Sequence, residues 1–360
     1  MRRTTERVLQ TQRTGAQTMA FNCGVIGTGI MGKAGGKILQ LVDDVALTAL
    51  ADPSEKNLGE ASAELGVSAT YTDYRQMLDK ENLDAVYVAT PDQFHRDPVI
   101  DSLEAGCHVI VEKPMTTKQE EAEEILRVVE KTGKKFQVDF NHRWLSPYHK
   151  IRAMIDAGDL GEPVIGFARK NNPILVPTSM LASWAKDSSP AWFMSSHDID
   201  LMVWWFGALP VEVYARGIKR VLKARGMDTF DGIHALVTFD GGQFATFEAA
   251  WIYPNTSPYM PDSYMEVIGT KGTTQIDRQA EAIDAILEDK FTAPRTFLNY
   301  KVFDQWVGAM PSSMTSFVNA CRNDTPTVVD AREGLKSTAI LDALHRSLAS
   351  GKPESIKLDV

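Results

Sequence analysis

At 360 residues the chain exceeds one ordinary core, so two domains are expected at roughly 150 residues each. Its 44% hydrophobic and 24% charged content are those of a soluble globular protein, and no apolar run nears the ~20 residues that cross a bilayer. A net charge of −9 argues against a nucleic-acid partner, which would require a basic footprint.

The first twenty residues, 1–20, are rich in arginine and threonine but lack the apolar core of a secretory signal, and they read as a disordered extension. From residue 21 the pattern alternates. "NCGVIG" is a strand, and a glycine turn leads into a helix; "VALTALAD" is a second strand, followed by helical "SEKNLGEASAELG". Next come the apolar run "LDAVYVATP", the helix "QFHRDPVIDSLEAG" and the strand "CHVIVEKP". The helix "TTKQEEAEEILRVVEKTG" follows, with Thr117 and Glu120 spaced as a capping box, and then the strand "KFQVDFN". Strands alternating with helices of this length predict βαβ units and a doubly wound, parallel Rossmann sheet over 21–143.

After residue 144 the rhythm changes. A helix "PYHKIRAMIDAG" precedes longer strands, "PVIGFARK" and "PVEVYARGIKR", and two hairpins, one turning at Asp240-Gly241-Gly242 and one within "SYMEVIGTKGTTQID". Strands without crossover helices predict an α/β domain over 144–360 with a large, open, mainly antiparallel sheet, closed by two helices. The last of these opens with Asp330 as N-cap and Glu333 at the third position.

Gly27-Thr28-Gly29-Ile30-Met31-Gly32 is a G-x-G-x-x-G motif placed where a strand turns into a helix. Gly27 suits the tight turn, Gly29 lets backbone approach a pyrophosphate, and Gly32 lets helix and strand close up. The phosphates would sit on the N–H groups of Ile30 and Met31 at the helix start. Asp52 ends the second strand twenty residues later, where a carboxylate accepts ribose hydroxyls and repels a 2′-phosphate; a turn or cap role before Pro53 is the alternative. NAD is the expected cofactor, with Lys56 leaving some tolerance for NADP. Thr90, Pro91 and His95 follow a strand end and line the same groove, although His95 could equally cap a helix.

Glu112 and Lys113 end a buried strand on the carboxyl side, where open α/β sheets bind their ligands. With "GVIGTGIMG", "ATPDQFH", "EAGCHVIVEKP", "FNHRW", "IDAGDLGEPV", "HDIDLMVWWFG", "EVIGTKGT" and "DAREGLKSTAILDAL", the chain resembles the Gfo/Idh/MocA family of NAD(P)-dependent sugar and polyol oxidoreductases from residue 21 to its end. The resemblance implies that Lys113 touches both the nicotinamide ribose and the reacting hydroxyl, and that the Lys113–Pro114 bond is cis. It also implies a histidine, here His197, on a helix of the second domain, with an aspartate one turn earlier. This chain has Phe193 there instead. Asp200, three residues after His197, is the expected substitute orienter. The resemblance turns Arg143 toward the substrate, and Arg143 could equally pair with a carboxylate between the domains. Trp192 and Phe193 are candidate platforms for the apolar face of a sugar ring, with packing as the alternative for the tryptophan.

The resulting expectation is an NAD-dependent oxidoreductase that moves a hydride to or from a secondary hydroxyl carbon of a sugar, inositol or related polyol. Two rivals remain: a glycoside-cleaving enzyme of the same fold with tightly held NAD, and a nicotinamide-sensing regulator without turnover. No metal site is expected, because no His, Cys and carboxylate set has ligand spacing. Three separated cysteines point to a reducing, cytoplasmic compartment, and an uncovered sheet points to a homodimer or homotetramer.

Overall fold

The computed structural model describes residues 20–181, 184–303 and 305–358, so the expectation for the N-terminal extension lies almost wholly outside the described residues. Six parallel strands form the first sheet: β1 (Phe21–Ile26), β2 (Val45–Ala51), β3 (Ala69–Tyr71), β4 (Ala85–Val88), β5 (His108–Val111) and β6 (Phe136–Val138). Their order is β3-β2-β1-β4-β5-β6, and every neighbouring pair is parallel. Helices α1 (Ile30–Leu39), α2 (Glu55–Leu65), α3 (Tyr74–Lys80), α4 (Arg96–Glu104) and α5 (Gln119–Thr132) make the crossovers. The order reverses between β1 and β4, which opens a crevice at their carboxyl ends. β4 is buried at every position, as a central strand covered on both faces must be.

Two local expectations change. α5 begins at Gln119 with Lys118 at the cap and no side-chain cap bond, so Thr117 and Glu120 do not form the capping box. Instead Thr116 Oγ1 donates to Glu121 at 2.5 Å, and the loop is tied one residue away from the motif. The sequence reading also passed over β3 and α3. A three-residue strand with no buried position carries too little periodicity to be seen.

Helix α6 (Ser146–Asp156) leads into the second sheet. It contains β7 (Pro163–Pro173), β8 (Pro210–Ile218), β9 (Gly232–Phe239), β10 (Phe244–Tyr253), β11 (Asp262–Gly269) and β12 (Thr273–Asp277), with α7 (Ser196–Phe206) inserted before β8. The order is β12-β11-β7-β10-β9-β8, closed by the short strand Glu354–Ser355; only β7 and β10 pair parallel. One face packs on α7 and on α9 (Ala331–Ser350), which follows α8 (Ala309–Asn323).

The core does not follow the expected division at residue 144. Met310, Met314 and Phe317 of α8 join the cluster of β1, α1 and β4, while Val329 and Leu335 join that of β5, α5 and β6. The chain thus returns to its first domain before it ends.

Candidate active site

The glycine turn folds as its motif requires. Gly27 has φ +88°, and a Cβ there would meet Ala89 at 2.6 Å. A Cβ on Gly32 would lie 1.8 Å from the Gly27 carbonyl oxygen, so this glycine serves helix–turn packing and not a ligand. At Gly29, by contrast, a Cβ would meet nothing within 4 Å, leaving open space at the N-terminus of α1. Ile30 and Met31 stand exposed beside that space. Asp52 Oδ2 accepts from Thr28 N at 2.7 Å and its Oδ1 from Ser54 N at 2.8 Å, which fixes a buried carboxylate at the rim. Gly27, Gly29, Ile30, Met31, Asp52, Thr90, Pro91, Glu112 and Lys113 all line one cavity of about 1490 Å³ between the two lobes. The open cradle, the free helix N-terminus and the anchored carboxylate fit a dinucleotide.

β5 delivers Glu112 and Lys113 to this cavity, and the Lys113–Pro114 bond is cis. Glu112 accepts from the Tyr87 hydroxyl at 2.5 Å, and burial pushes its carboxyl up. Asp139 behind it is pushed up to about 7, by burial and then by Glu112. His95 is fully buried and does not line the groove. Its ring nitrogens lie 2.8 Å from the Pro114 carbonyl and 2.9 Å from the Thr90 carbonyl, so it braces both loops from behind.

Across the cavity, residues Ala191–Ser195 wind as a π-helical turn before α7, an arrangement frequent at functional sites. The turn brings Phe193 over Lys113. Lys113 Nζ donates to the Phe193 carbonyl at 3.2 Å and lies 4.9 Å from the centre of its ring. One turn on, His197 lines the same cavity. Its ring stacks on His142, with centroids 3.9 Å apart and an interplanar angle of 11°. Burial, and then Lys113, holds the His197 imidazole well below its ordinary value, and burial and His197 do the same to His142. Both rings are therefore neutral near pH 7, and Nδ1 of each is buried without a partner among the described residues.

Besides His95, three more expected site residues lie away from the cavity. Asp200 does not orient His197: it is fully buried and pairs bidentately with Arg143, at 2.9 Å to Nε and 2.7 Å to Nη2. Arg143 also reaches Glu333 on α9 at 2.8 Å and so clamps the lobes together instead of facing substrate. Trp192 is buried and stacked on His345 at 4.9 Å, away from the cavity.

Two family models match the chain. Residues 21–140 match the oxidoreductase family's NAD-binding Rossmann fold, and residues 152–358 match its C-terminal alpha/beta domain. The chain belongs to this oxidoreductase family. It is an oxidoreductase by family, and its first domain carries that family's NAD-binding fold. Among its relatives is a scyllo-inositol 2-dehydrogenase (NAD(+)) from Bacillus subtilis (strain 168), 28% identical over 94% of this chain and 96% of the relative. A Myo-inositol 2-dehydrogenase from Thermotoga maritima is 24% identical, over 93% of this chain and 98% of its own. The crystal structure of scyllo-inositol dehydrogenase from Lactobacillus casei with bound NAD(H) and scyllo-inositol superposes with a TM-score of 0.80 at 25% identity, covering 93% of this chain and 99% of that one.

In this oxidoreductase the second lobe brings further groups that the sequence reading did not single out. Lys170 and Asn172 occupy the helix-covered face of β7, in register with Gly166 and Ala168, and both line the cavity. Lys170 Nζ donates to Asp198 at 2.5 Å, with both side chains buried. Burial lowers the Lys170 ammonium to about 8, against the opposing pull of Asp198. Arg295 lines the cavity from the segment after β12. A lysine at an inward position of a strand was the available signal for Lys170; nothing in the local pattern marked Arg295.

Proposed function

We propose that the protein is an NAD-dependent oxidoreductase transferring a hydride to or from a secondary hydroxyl carbon of a sugar, inositol or related polyol. The observation that carries this reading is the convergence of Lys113 and His197 on the cavity that also holds the open glycine cradle. Bound nicotinamide supplies the hydride acceptor or donor. Gly29, the start of α1 and Asp52 would hold its dinucleotide.

In the oxidative direction the neutral His197 accepts the hydroxyl proton, which its depressed basicity keeps available at neutral pH. Lys113 donates a hydrogen bond to the substrate oxygen as negative charge gathers there. Its aim is fixed by the Phe193 carbonyl and ring, which occupy the place of the expected aspartate. His142, stacked on His197, holds the imidazole plane in the absence of a carboxylate partner.

The same reading places the enzyme in the cytoplasm as a homo-oligomer. Cys23, Cys107 and Cys321 are all unpaired, in keeping with a reducing compartment. No helix among the described residues is long and apolar enough to cross a membrane. A homodimer or homotetramer would cover the open sheet face.

The test is turnover of an inositol, sugar and polyol panel followed by reduced-nicotinamide absorbance, repeated with Lys113→Ala and His197→Ala. Each variant is expected to lose roughly 10²–10⁴-fold in kcat. Wild-type kcat in Lys113→Ala would overturn the assignment. Product formation without net accumulation of NADH would favour the glycoside-cleaving alternative.

A further inference from the structure

The substrate end of the cavity is built from cations whose counter-charges are already committed. Arg278 and Arg295 share a single carboxylate: Glu281 Oε1 accepts from Arg278 at 2.6 Å and from Arg295 at 3.2 Å. Its other oxygen is taken by the backbone N–H groups of Thr296 at 2.7 Å and Phe297 at 2.8 Å. Two guanidiniums against one saturated carboxylate leave a positive charge over. Lys170 adds an ammonium with three N–H donors, and among the described residues Asp198 is its one hydrogen-bond partner. Lys170, Arg278 and Arg295 all bear on His197, together with Lys113. All the acidic groups that line the cavity, Asp52, Asp73, Asp92, Asp97, Glu112 and Glu121, belong to the Rossmann lobe and none to the second, and burial pushes the two that bear on Lys113, Glu112 and Asp92, toward the neutral form.

A cavity with spare buried N–H donors and surplus positive charge is completed by an anion, because charge-assisted bonds to a carboxylate are about twice as strong as those to a neutral hydroxyl. We propose that the hydroxylated substrate also carries a carboxylate, as in an aldonic or uronic acid, and that Lys170 and Arg295 bind that carboxylate while Lys113 and His197 meet the reacting hydroxyl. This rests on the dehydrogenase reading above and narrows its substrate class. Lys170 comes from β7 and Arg295 from the segment after β12, so the two donors reach the occupant from separate elements and fix its orientation as well as its charge.

Matched pairs test this: D-gluconate against D-glucitol, and D-glucuronate against D-glucose, on the full-length enzyme. Two readouts are taken, kcat/KM with NAD and calorimetric binding to the enzyme–NADH complex. The acid is expected to exceed its neutral twin by more than about tenfold. In Lys170→Met and in Arg295→Gln that ratio should fall by roughly 10- to 100-fold. Arg295→Lys should retain part of it. If Lys170→Met fails to fold because Asp198 is left alone, the Lys170→Met/Asp198→Leu double variant replaces it and the same fall is expected. Equal or better binding of the neutral twins overturns the inference, as does an unchanged ratio in both variants. Turnover confined to neutral polyols also ends it, while leaving the dehydrogenase reading in place. Acid-selective binding with no turnover of any compound supports the inference and removes the dehydrogenase reading.

Discussion

Phe193 stands one turn before His197, where the family resemblance implies an aspartate, and it changes what sets the basicity of the imidazole. With no carboxylate beside it, His197 feels burial and four cations, all lowering its pKa. In the oxidative direction the acidic limb of the kcat–pH profile is therefore expected below pH ~6.5, the ordinary histidine value. Phe193→Asp would add an anion next to His197 and Lys113, and it should move that limb upward; an unmoved profile would show that another group accepts the proton. Arg143 gives a second prediction. Removing its side chain leaves Asp200 buried without its cation, at a cost of about 3–5 kcal/mol. Denaturant unfolding of Arg143→Met should show it, and Arg143→Met/Asp200→Leu should recover much of the loss. At this scale the placement of Gly27, Gly29, Asp52 and Lys113 on the cavity could be read from sequence, because position along one strand or turn sets it, whereas His197 was reached through the family resemblance. Asp200 was misassigned because helix periodicity ranks neighbours on the helix alone, and its real partner arrives from the loop after β6. Lys170 went unread for a related reason: alternation tells which side of a strand a residue takes, not what covers that side.

Among the elements, α9 reaches both cores, with Leu335 in that of the first lobe and Leu341 and Leu344 in that of the second, and its histidine sits on the second-lobe side. His345 is half-buried, with Nδ1 2.7 Å from the Leu341 carbonyl, Nε2 2.8 Å from Ser189 Oγ, and Trp192 stacked on its face. Burial lowers its pKa from 6.5 to about 4. Between those values the unfolded chain binds the proton and the folded one does not, so this group's contribution to stability is complete above pH 6.5 and lost as pH falls toward about 4. Relative to His345→Gln, the wild-type melting temperature is expected to decline as pH falls from 7 to ~4 and to run parallel above 7. Parallel curves throughout would mean that the ring accepts a proton in place. The N-cap of this helix was legible: Asp330 accepts from the backbone N–H groups of Arg332 and Glu333, as its sequence pattern predicts. The cap of α5 was not, because Thr116 and Lys118 both take hold of Glu121 and the motif one residue along is left unused.

For the whole molecule, the alternation of strands and helices fixed the Rossmann lobe and the change of rhythm after residue 144 fixed the mainly antiparallel one, but nothing in that pattern said where the last helices dock. The outer face of the second sheet presents a row across three strands, Ile268 opposite Ile165 and Ile165 opposite Phe244. Phe244 is 40% exposed and Leu236 on the neighbouring strand 39%. An apolar stripe on an open sheet is the surface a second copy would cover. Light scattering of the purified protein is expected to give a dimer or tetramer, and Phe244→Asp should shift it toward monomer; a monomeric wild type would leave that face solvent-exposed. The return of α8 and α9 to the first lobe has a separate consequence for any attempt to divide the protein. A fragment ending near residue 143 would bare the surfaces that Phe317 and Leu335 fill, and a fragment starting there would carry those side chains with nothing to sit in. Neither half is therefore expected to fold alone, and expression of either fragment should give insoluble or unfolded material where the full chain is soluble.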